Sequence, residues 1–365
     1  MIYFDHNATT RLDERILDAM LPYLQGQYGN PSSLYRFARI ARSAIDTARE
    51  QLAALIDAHP RQIIFTSGGT EANTLALANA GEAPAFISAI EHPSIFENAH
   101  ARRHKTTVIP CQQSGLIHPD TINQLDIKSG DFVSIMLANN ETGAIQNVAG
   151  IAEHLADRKL TIHSDAVQAL GKIPLSFKKL GIQLLSLSSH KIYGPKGCGA
   201  LVFADGIQLT PLMRGGNQEQ GLRAGTENVA AIVGFGKAAE LANSEFEQRN
   251  TRIRALKNRL EQQLTCIPEL IIFAKDAPRL PNTLQFGLAG IKGEMLLMQL
   301  DRRDIAVSSG SACAASSTAT SPVLAAMGIE PALAGSAIRV SLGKDNDEQQ
   351  IDHFVSVLKT LLAIH

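Results

Sequence analysis

Seven short apolar runs, separated mostly by stretches of helical periodicity, restrict the first two-thirds of this chain to few folds. The runs are 63–65, 85–87, 107–109, 132–137, 160–163, 184–187 and 200–203. Residues 70–80, 93–103 and 151–157, among others, read as helices between them. Two helices precede the first run, at 12–24 and 33–58. In the second, Ile40, Ala41, Ala44, Ile45, Ala48, Leu52, Leu55 and Ile56 recur near helical spacing. Strands that alternate with helices predict a largely parallel sheet covered on both faces. After a long helical stretch over 228–264 the rhythm changes. Strands are expected at 270–273, 282–286, 306–308 and 338–342, with helices at 293–300 and 348–364. The expected organisation is a large α/β unit of residues 12–250 and a smaller α+β unit of residues 1–11 and 251–365. Residues 308–321 consist of Ser, Gly, Ala and Thr with a single cysteine. So few apolar anchors predict a mobile loop.

A chain of 365 residues can bury a large core without disulfides. Its formal net charge is −1, with no long basic or acidic block, which argues against a dedicated nucleic-acid binder. Cys111, Cys198, Cys266 and Cys313 form no CxxC pair, so neither a zinc ribbon nor a dithiol redox motif is indicated. The first residues turn polar too soon for a signal peptide, and no apolar run is long enough to span a membrane. The expectation is a soluble protein of a reducing compartment, the cytoplasm.

Ligands of parallel α/β sheets sit beyond the carboxyl ends of the strands, so the residues that follow each run carry the functional information. Thr66-Ser67-Gly68-Gly69-Thr70-Glu71 leads into a helix, whose N-terminus suits a phosphate. It serves equally as an ordinary turn. In Glu91-His92-Pro93, an imidazole could stack on a flat ring, shuttle a proton or cap a helix. Asn139-Asn140-Glu141 could bind a polar ligand or build a turn. Asp165 and Gln168 follow the fifth run. Asp165 suits a protonated pyridine nitrogen or a helix N-cap. Ser188-Ser189-His190-Lys191 places a lysine beside hydroxyls and an imidazole, as a Schiff-base lysine near a phosphate requires. Cys313, on a stretch of small residues, is a better candidate nucleophile than the other three cysteines.

Taken in order, these strings resemble the pyridoxal-phosphate (PLP) dependent cysteine desulfurases of the NifS/IscS-like group, within the class V aminotransferase superfamily. The resemblance starts at Tyr3-Phe4-Asp5-His6-Asn7-Ala8-Thr9-Thr10 and takes in Gly29-Asn30-Pro31-Ser32-Ser33. It continues through Gly215-Gly216-Asn217-Gln218-Glu219 and Arg223-Ala224-Gly225-Thr226-Glu227-Asn228, and closes with Ile338-Arg339-Val340-Ser341-Leu342-Gly343. It implies the type I fold of PLP-dependent transferases, with a mainly parallel seven-stranded sheet and a smaller α+β C-terminal domain. It also implies roles. Lys191 would hold the cofactor, Asp165 would pair with its ring nitrogen and Gln168 with its ring hydroxyl. His92 would stack on the ring and relay protons. Gly69, Thr70, Ser188 and His190 would hold the phosphate. Thr226 would reach the phosphate of a neighbouring subunit, so a homodimer with shared sites is expected. Asn140 and Arg339 would position L-cysteine, and Cys313 would take its sulfur as a persulfide, leaving L-alanine, for delivery to a protein acceptor.

The sequence departs from the family pattern in two places. Ile90 stands where many relatives have Thr, and the chain stops at His365, whereas housekeeping relatives often carry a longer tail that helps dock an iron–sulfur scaffold. The long segment between Cys313 and Arg339 fits the group with a flexible catalytic loop. An aminotransferase or selenocysteine lyase of the same fold would also use Lys191 and Asp165, and Cys313 is the residue that separates an aminotransferase from a desulfurase. Iron–sulfur clusters, thiolated RNA and phosphorothioate DNA are the sulfur destinations the sequence leaves open.

Overall fold

The computed structural model describes residues 1–309 and 321–363. Cys313 lies outside them. A first strand, β1 (Ile2–Tyr3), is followed by the seven strands of the main sheet. These are β2 (Ile63–Thr66), β3 (Ala85–Ser88), β4 (Thr106–Ile109), β5 (Phe132–Ser134), β6 (Thr161–Asp165), β7 (Leu184–Ser188) and β8 (Gly199–Phe203). Their spatial order is β2-β8-β7-β6-β5-β3-β4. Neighbouring strands from β7 to β4 pair parallel, and β8 runs antiparallel to both β2 and β7. The seven apolar runs are therefore the seven strands. The run expected over 132–137 ends as a strand at Ser134, yet the pairing continues. Ile135 N–H donates to His163 O at 3.0 Å and Leu137 N–H to Asp165 O at 2.9 Å.

Alternation along each strand sends side chains to opposite faces, and both faces are buried. Ile63, Phe65, Leu185 and Val202 pack on one side with Ile45, Leu52 and Phe235 of the covering helices. Ile64, Leu184 and Leu201 pack on the other with Leu75 and Leu77.

The smaller domain holds β9 (Leu270–Ile272), β10 (Thr283–Leu288), β11 (Ile305–Ala306) and β12 (Ile338–Ser341). β12, β10 and β9 form an antiparallel sheet, and β11 pairs parallel with β1. The stretch over 228–264 is two helices rather than one, Val229–Ser244 and Phe246–Leu264. Glu245 interrupts it with φ −102° and ψ 8°. Its carboxylate takes an ion pair from Arg15 at 2.5 Å and a second from Arg249, which holds the break in place. The two helices serve different cores. Ala231, Ile232 and Phe235 pack with the main sheet, whereas Ile253, Leu256 and Leu260 pack with Leu284, Phe286 and Phe354. Phe4 belongs to this second core, so the N-terminal segment is anchored there. Among the described residues no helix is long and apolar enough to cross a membrane.

Candidate active site

The carboxyl ends of β2, β3, β6 and β7 converge on one edge of the sheet and carry most of the residues singled out above. Asp165 ends β6 and is 3 % exposed. Its Oδ2 accepts from Asn73 Nδ2 at 2.7 Å and its Oδ1 from Val167 N–H at 2.9 Å. Asn73 also donates to Ser94 Oγ at 2.8 Å, and Ser94 Oγ lies 2.8 Å from His92 Nδ1. His92 caps the helix Pro93–Ala101, its Nδ1 accepting from Ser94 N–H at 3.1 Å. With Nδ1 an acceptor, the proton of the neutral ring sits on Nε2. Burial pushes the His92 pKa down and the nearby Lys191 adds to that, against the pull of Asp165. His92 and Asp165 are thus the two ends of one hydrogen-bonded chain.

The phosphate-type cradle is built from small residues. The helix Gly69–Ala78 begins at the end of β2, and its first N–H groups have no partner within the helix. A Cβ on Gly69 would fall 2.9 Å from Val167 Cγ2, so only glycine fits there without displacing a neighbour. A Cβ on Gly199 would fall 2.5 Å from the Gly68 backbone, so β8 lets the cradle approach by having no side chain. Ser188 Oγ, at the end of β7, is buried with no hydrogen-bond partner among the described residues. Thr70 is exposed at the start of the helix. His190 contacts Thr9 Oγ1 at 3.1 Å, and burial together with Lys191, Lys196 and Lys172 pushes its pKa down to about 4.

Lys191 follows β7 in a tight turn, and its Nζ donates to Asn7 O at 2.5 Å and Ala8 O at 2.7 Å. Cys198 lies behind that turn, with its carbonyl accepting from Ser189 N–H at 3.1 Å. Burial drives its thiol pKa up, as befits a packed thiol rather than a nucleophile.

Arg339 comes from the smaller domain, on β12, and is 2 % exposed. Its Nη2 donates to Asp5 Oδ1 at 2.6 Å and its Nη1 to Asn140 O at 3.0 Å. Its Nε is buried without a partner among the described residues. Thr226 is exposed in the irregular segment before the helix Val229–Ser244 and belongs to none of these networks.

Several members of the site were not singled out from the sequence. Asn73 is a polar residue on the inward face of an otherwise Ala- and Leu-lined helix, and that mismatch is a usable signal. Ser94 reads as an ordinary helix-start residue, and Lys172 as a solvated one. Asn7 lies inside the quoted N-terminal string, yet its place between the two domains is visible only in three dimensions.

The family described as "Aminotransferase class-V" matches residues 2–354. A cysteine desulfurase of Sinorhizobium fredii is 42% identical over 372 residues, covering 99% of this chain and 96% of that protein. The cysteine desulfurase IscS of Methanosarcina thermophila is 38% identical over 370 residues, covering 99% of this chain and 92% of that protein. The crystal structure of a NifS-like protein from Rickettsia africae superimposes with a TM-score of 0.92 at 34% identity, covering 100% of this chain and 99% of that one. With this sequence match along nearly its whole length and the same arrangement of strands, the chain belongs to the class V aminotransferase family, in its NifS/IscS-like cysteine desulfurase group.

Proposed function

We propose that this site binds pyridoxal 5'-phosphate and L-cysteine. The protein is a cysteine desulfurase: it converts L-cysteine to L-alanine and passes the sulfur, held as a persulfide on Cys313, to a protein acceptor. The observation that carries this reading is the convergence of a buried carboxylate, a glycine-built cradle and a lysine amine at one sheet edge.

The residues present fit the cofactor. The partnerless Ser188 Oγ and the start of the helix Gly69–Ala78 suit a phosphate dianion. Gly69, Thr70, Ser188 and His190 would hold it, with Thr226 contributed by a second copy of the chain. Asp165 would hold the ring nitrogen, Gln168 the ring oxygen, and His92 would stack on the ring. Bound there, the cofactor supplies an electron-poor ring that accepts the electron pair released at the substrate α-carbon. Lys191 would anchor the cofactor and carry the substrate α-proton. Arg339 would grip the substrate carboxylate, with Asn140 helping to position the substrate. Asp5 fixes one side of the guanidinium and leaves the buried Nε for the ligand. The Cys313 thiolate attacks the substrate sulfur. An S–S bond would form and the substrate Cβ–S bond would break with its electron pair left on the β-carbon; that carbon takes up a proton, and the α-carbon regains the proton it lost, to give alanine.

The division of labour follows the two cores. Residues 12–250 hold the cofactor, and residues 1–11 and 251–365 bring Arg339 and Cys313 to it. The exposed Tyr28 and Phe37 stack with ring centroids 5.8 Å apart and, with the exposed Leu34 and Tyr35 of the same segment, support a homodimer that would cover them. Free Cys111, Cys198 and Cys266 are consistent with a reducing compartment such as the cytoplasm.

The test is borohydride reduction of the protein loaded with PLP, followed by peptide mass analysis, alongside product assays with cysteine. Cofactor fixed to Lys191 and alanine as the product support the reading. Cofactor fixed at the same site in Lys191→Ala, or pyruvate in place of alanine, overturns it.

A further inference from the structure

Behind the edge where the cofactor would lie, three side chains interlock. Lys172 Nζ donates to Gln168 Oε1 at 2.7 Å and to Asn7 Oδ1 at 3.1 Å. Gln168 Nε2 donates to Asn7 O at 2.9 Å, the same carbonyl that accepts from Lys191. The amide of Asn7 is fully engaged. Its Nδ2 donates to Thr283 Oγ1 at 2.9 Å and Asn140 O at 3.1 Å, and its Oδ1 also accepts from Asn282 at 3.0 Å. That leaves no freedom over which way Asn7 lies.

A glutamine amide has nearly the same shape either way round, so only its partners decide whether oxygen or NH2 faces a ligand. At Gln168 both contacts agree. The Asn7 carbonyl requires an N–H, and the Lys172 amine supplies one to the amide oxygen. The NH2 group therefore lies on the Asn7 side, and its second N–H has no acceptor among the described residues. A negatively charged ring oxygen is an acceptor that an amide N–H satisfies and an amide oxygen would repel.

We propose that Lys172 is a positioning residue of the cofactor site: its amine fixes the orientation of the Gln168 amide, so that NH2 rather than oxygen meets the ring oxygen of the bound cofactor. The proposal rests on the reading above that Gln168 meets that oxygen.

Lys172 makes no ion pair with a carboxylate among the described residues; its amine donates to two amide oxygens. Lys191 and Arg339 stand nearby, and His6 and His190 feel its charge. Burial first, then the two cations, depress its pKa well below the usual lysine value. Its amine donates to both oxygens, and those contacts are what hold the Gln168 amide. A lysine kept for solubility or for a salt bridge would face water or a carboxylate instead.

The test compares wild type, Lys172→Met, Gln168→Ala and the double variant, each stripped of cofactor. Each is titrated with PLP and with the PLP analogue that lacks the ring hydroxyl, and the visible absorption band of bound PLP is recorded. Each single variant is expected to weaken PLP about tenfold, the scale of one hydrogen bond to a charged group, and to move the band. The double variant is expected to do no worse than Gln168→Ala, because both act through one contact. Affinity for the analogue is expected to stay unchanged. A Lys172→Met protein with wild-type PLP affinity and band, while Gln168→Ala loses both, overturns the proposal and leaves the cofactor site standing. Equal loss of PLP and analogue in Lys172→Met overturns it as well. A silent Gln168→Ala overturns both the proposal and the reading it rests on. Should Lys172→Met not fold, Lys172→Arg keeps N–H donors at this position. The wild-type band is then expected, and the band of Gln168→Ala would contradict the proposal.

Discussion

The backbones of Ser308 and Arg339 exchange two hydrogen bonds, Ser308 N–H to Arg339 O at 3.2 Å and Arg339 N–H to Ser308 O at 2.6 Å. Ser308 is five residues before Cys313 in the sequence. On the far side of that segment, Ser321 Oγ donates to Glu141 Oε2 at 2.6 Å, and Glu141 adjoins Asn140, whose carbonyl accepts from Arg339. One flank of the Cys313 segment is therefore tied to Arg339 and the other to Glu141, the neighbour of Asn140. An extended chain covers at most about 3.4 Å per residue, so a close anchor limits how far a thiol can stray from its target.

The Ser321 anchor has a measurable consequence. Ser321→Ala removes a hydrogen bond to a buried carboxyl, a loss of about 1 kcal/mol. Sulfur transfer to Cys313 is expected to slow several-fold with PLP affinity unchanged. Single-turnover alanine formation and a cofactor titration check the two halves.

The sequence shows the seven main strands clearly, because strands buried on both faces are written as continuous apolar runs. It does not show β1. Two residues are too short for any periodicity, and Ile2 and Tyr3 pair with Ile305 and Ala306 only through the tertiary fold. The break at Glu245 is also hidden, since helical residues continue on both sides and the kink is held by Arg15, 230 residues away. Of the candidate site, position after a strand marks Asp165, Ser188 and Lys191 as candidates, and the family resemblance supplies the roles proposed for them. Asn73, Ser94 and Lys172 are not marked in this way. Each sits on a helix or turn whose ordinary reading is packing or solvation, and only their contacts give them a role.

Arg339 presents a planar fork from a buried position, and Asp5 holds one side of it. Lysine keeps the charge but not the fork. Arg339→Lys is expected to raise KM for L-cysteine about tenfold or more, with a smaller effect on kcat. Initial-rate kinetics at saturating PLP provide the check.

The cradle depends on the missing side chain of Gly199. In Gly199→Ala the new Cβ meets the Gly68 backbone, which cannot move without shifting the start of the helix Gly69–Ala78. A stability loss of about 1–3 kcal/mol is expected from this overpacking, together with weaker PLP binding. Urea unfolding and a cofactor titration test both effects.

Buried titratable groups give stability two opposing pH dependences. Burial pushes His163 down to about 3, and burial with nearby cations pushes His6 and His190 to about 4. Below about pH 6.5 the unfolded chain takes up protons that these histidines refuse. Stability therefore falls with falling pH by about 1.4 kcal/mol per unit for each such group. His163→Leu is expected to flatten that slope by one proton, whatever its effect on absolute stability. Glu91 acts in the opposite sense, because burial raises it to about 8 against the hydrogen bonds from Ser88 and Met136. Its contribution is full below about pH 4.5 and is lost as pH rises toward 8. Glu91→Gln is expected to gain stability over wild type progressively from pH 5 to pH 8. Urea unfolding of the three proteins across that range measures both slopes.

The most direct test is mass spectrometry of the PLP-loaded protein after incubation with L-cysteine in the absence of reductant, paired with an alanine assay. One added sulfur on the peptide that contains Cys313, with alanine formed in step, is the predicted result. Bound PLP with no sulfur on Cys313 and no alanine would contradict it.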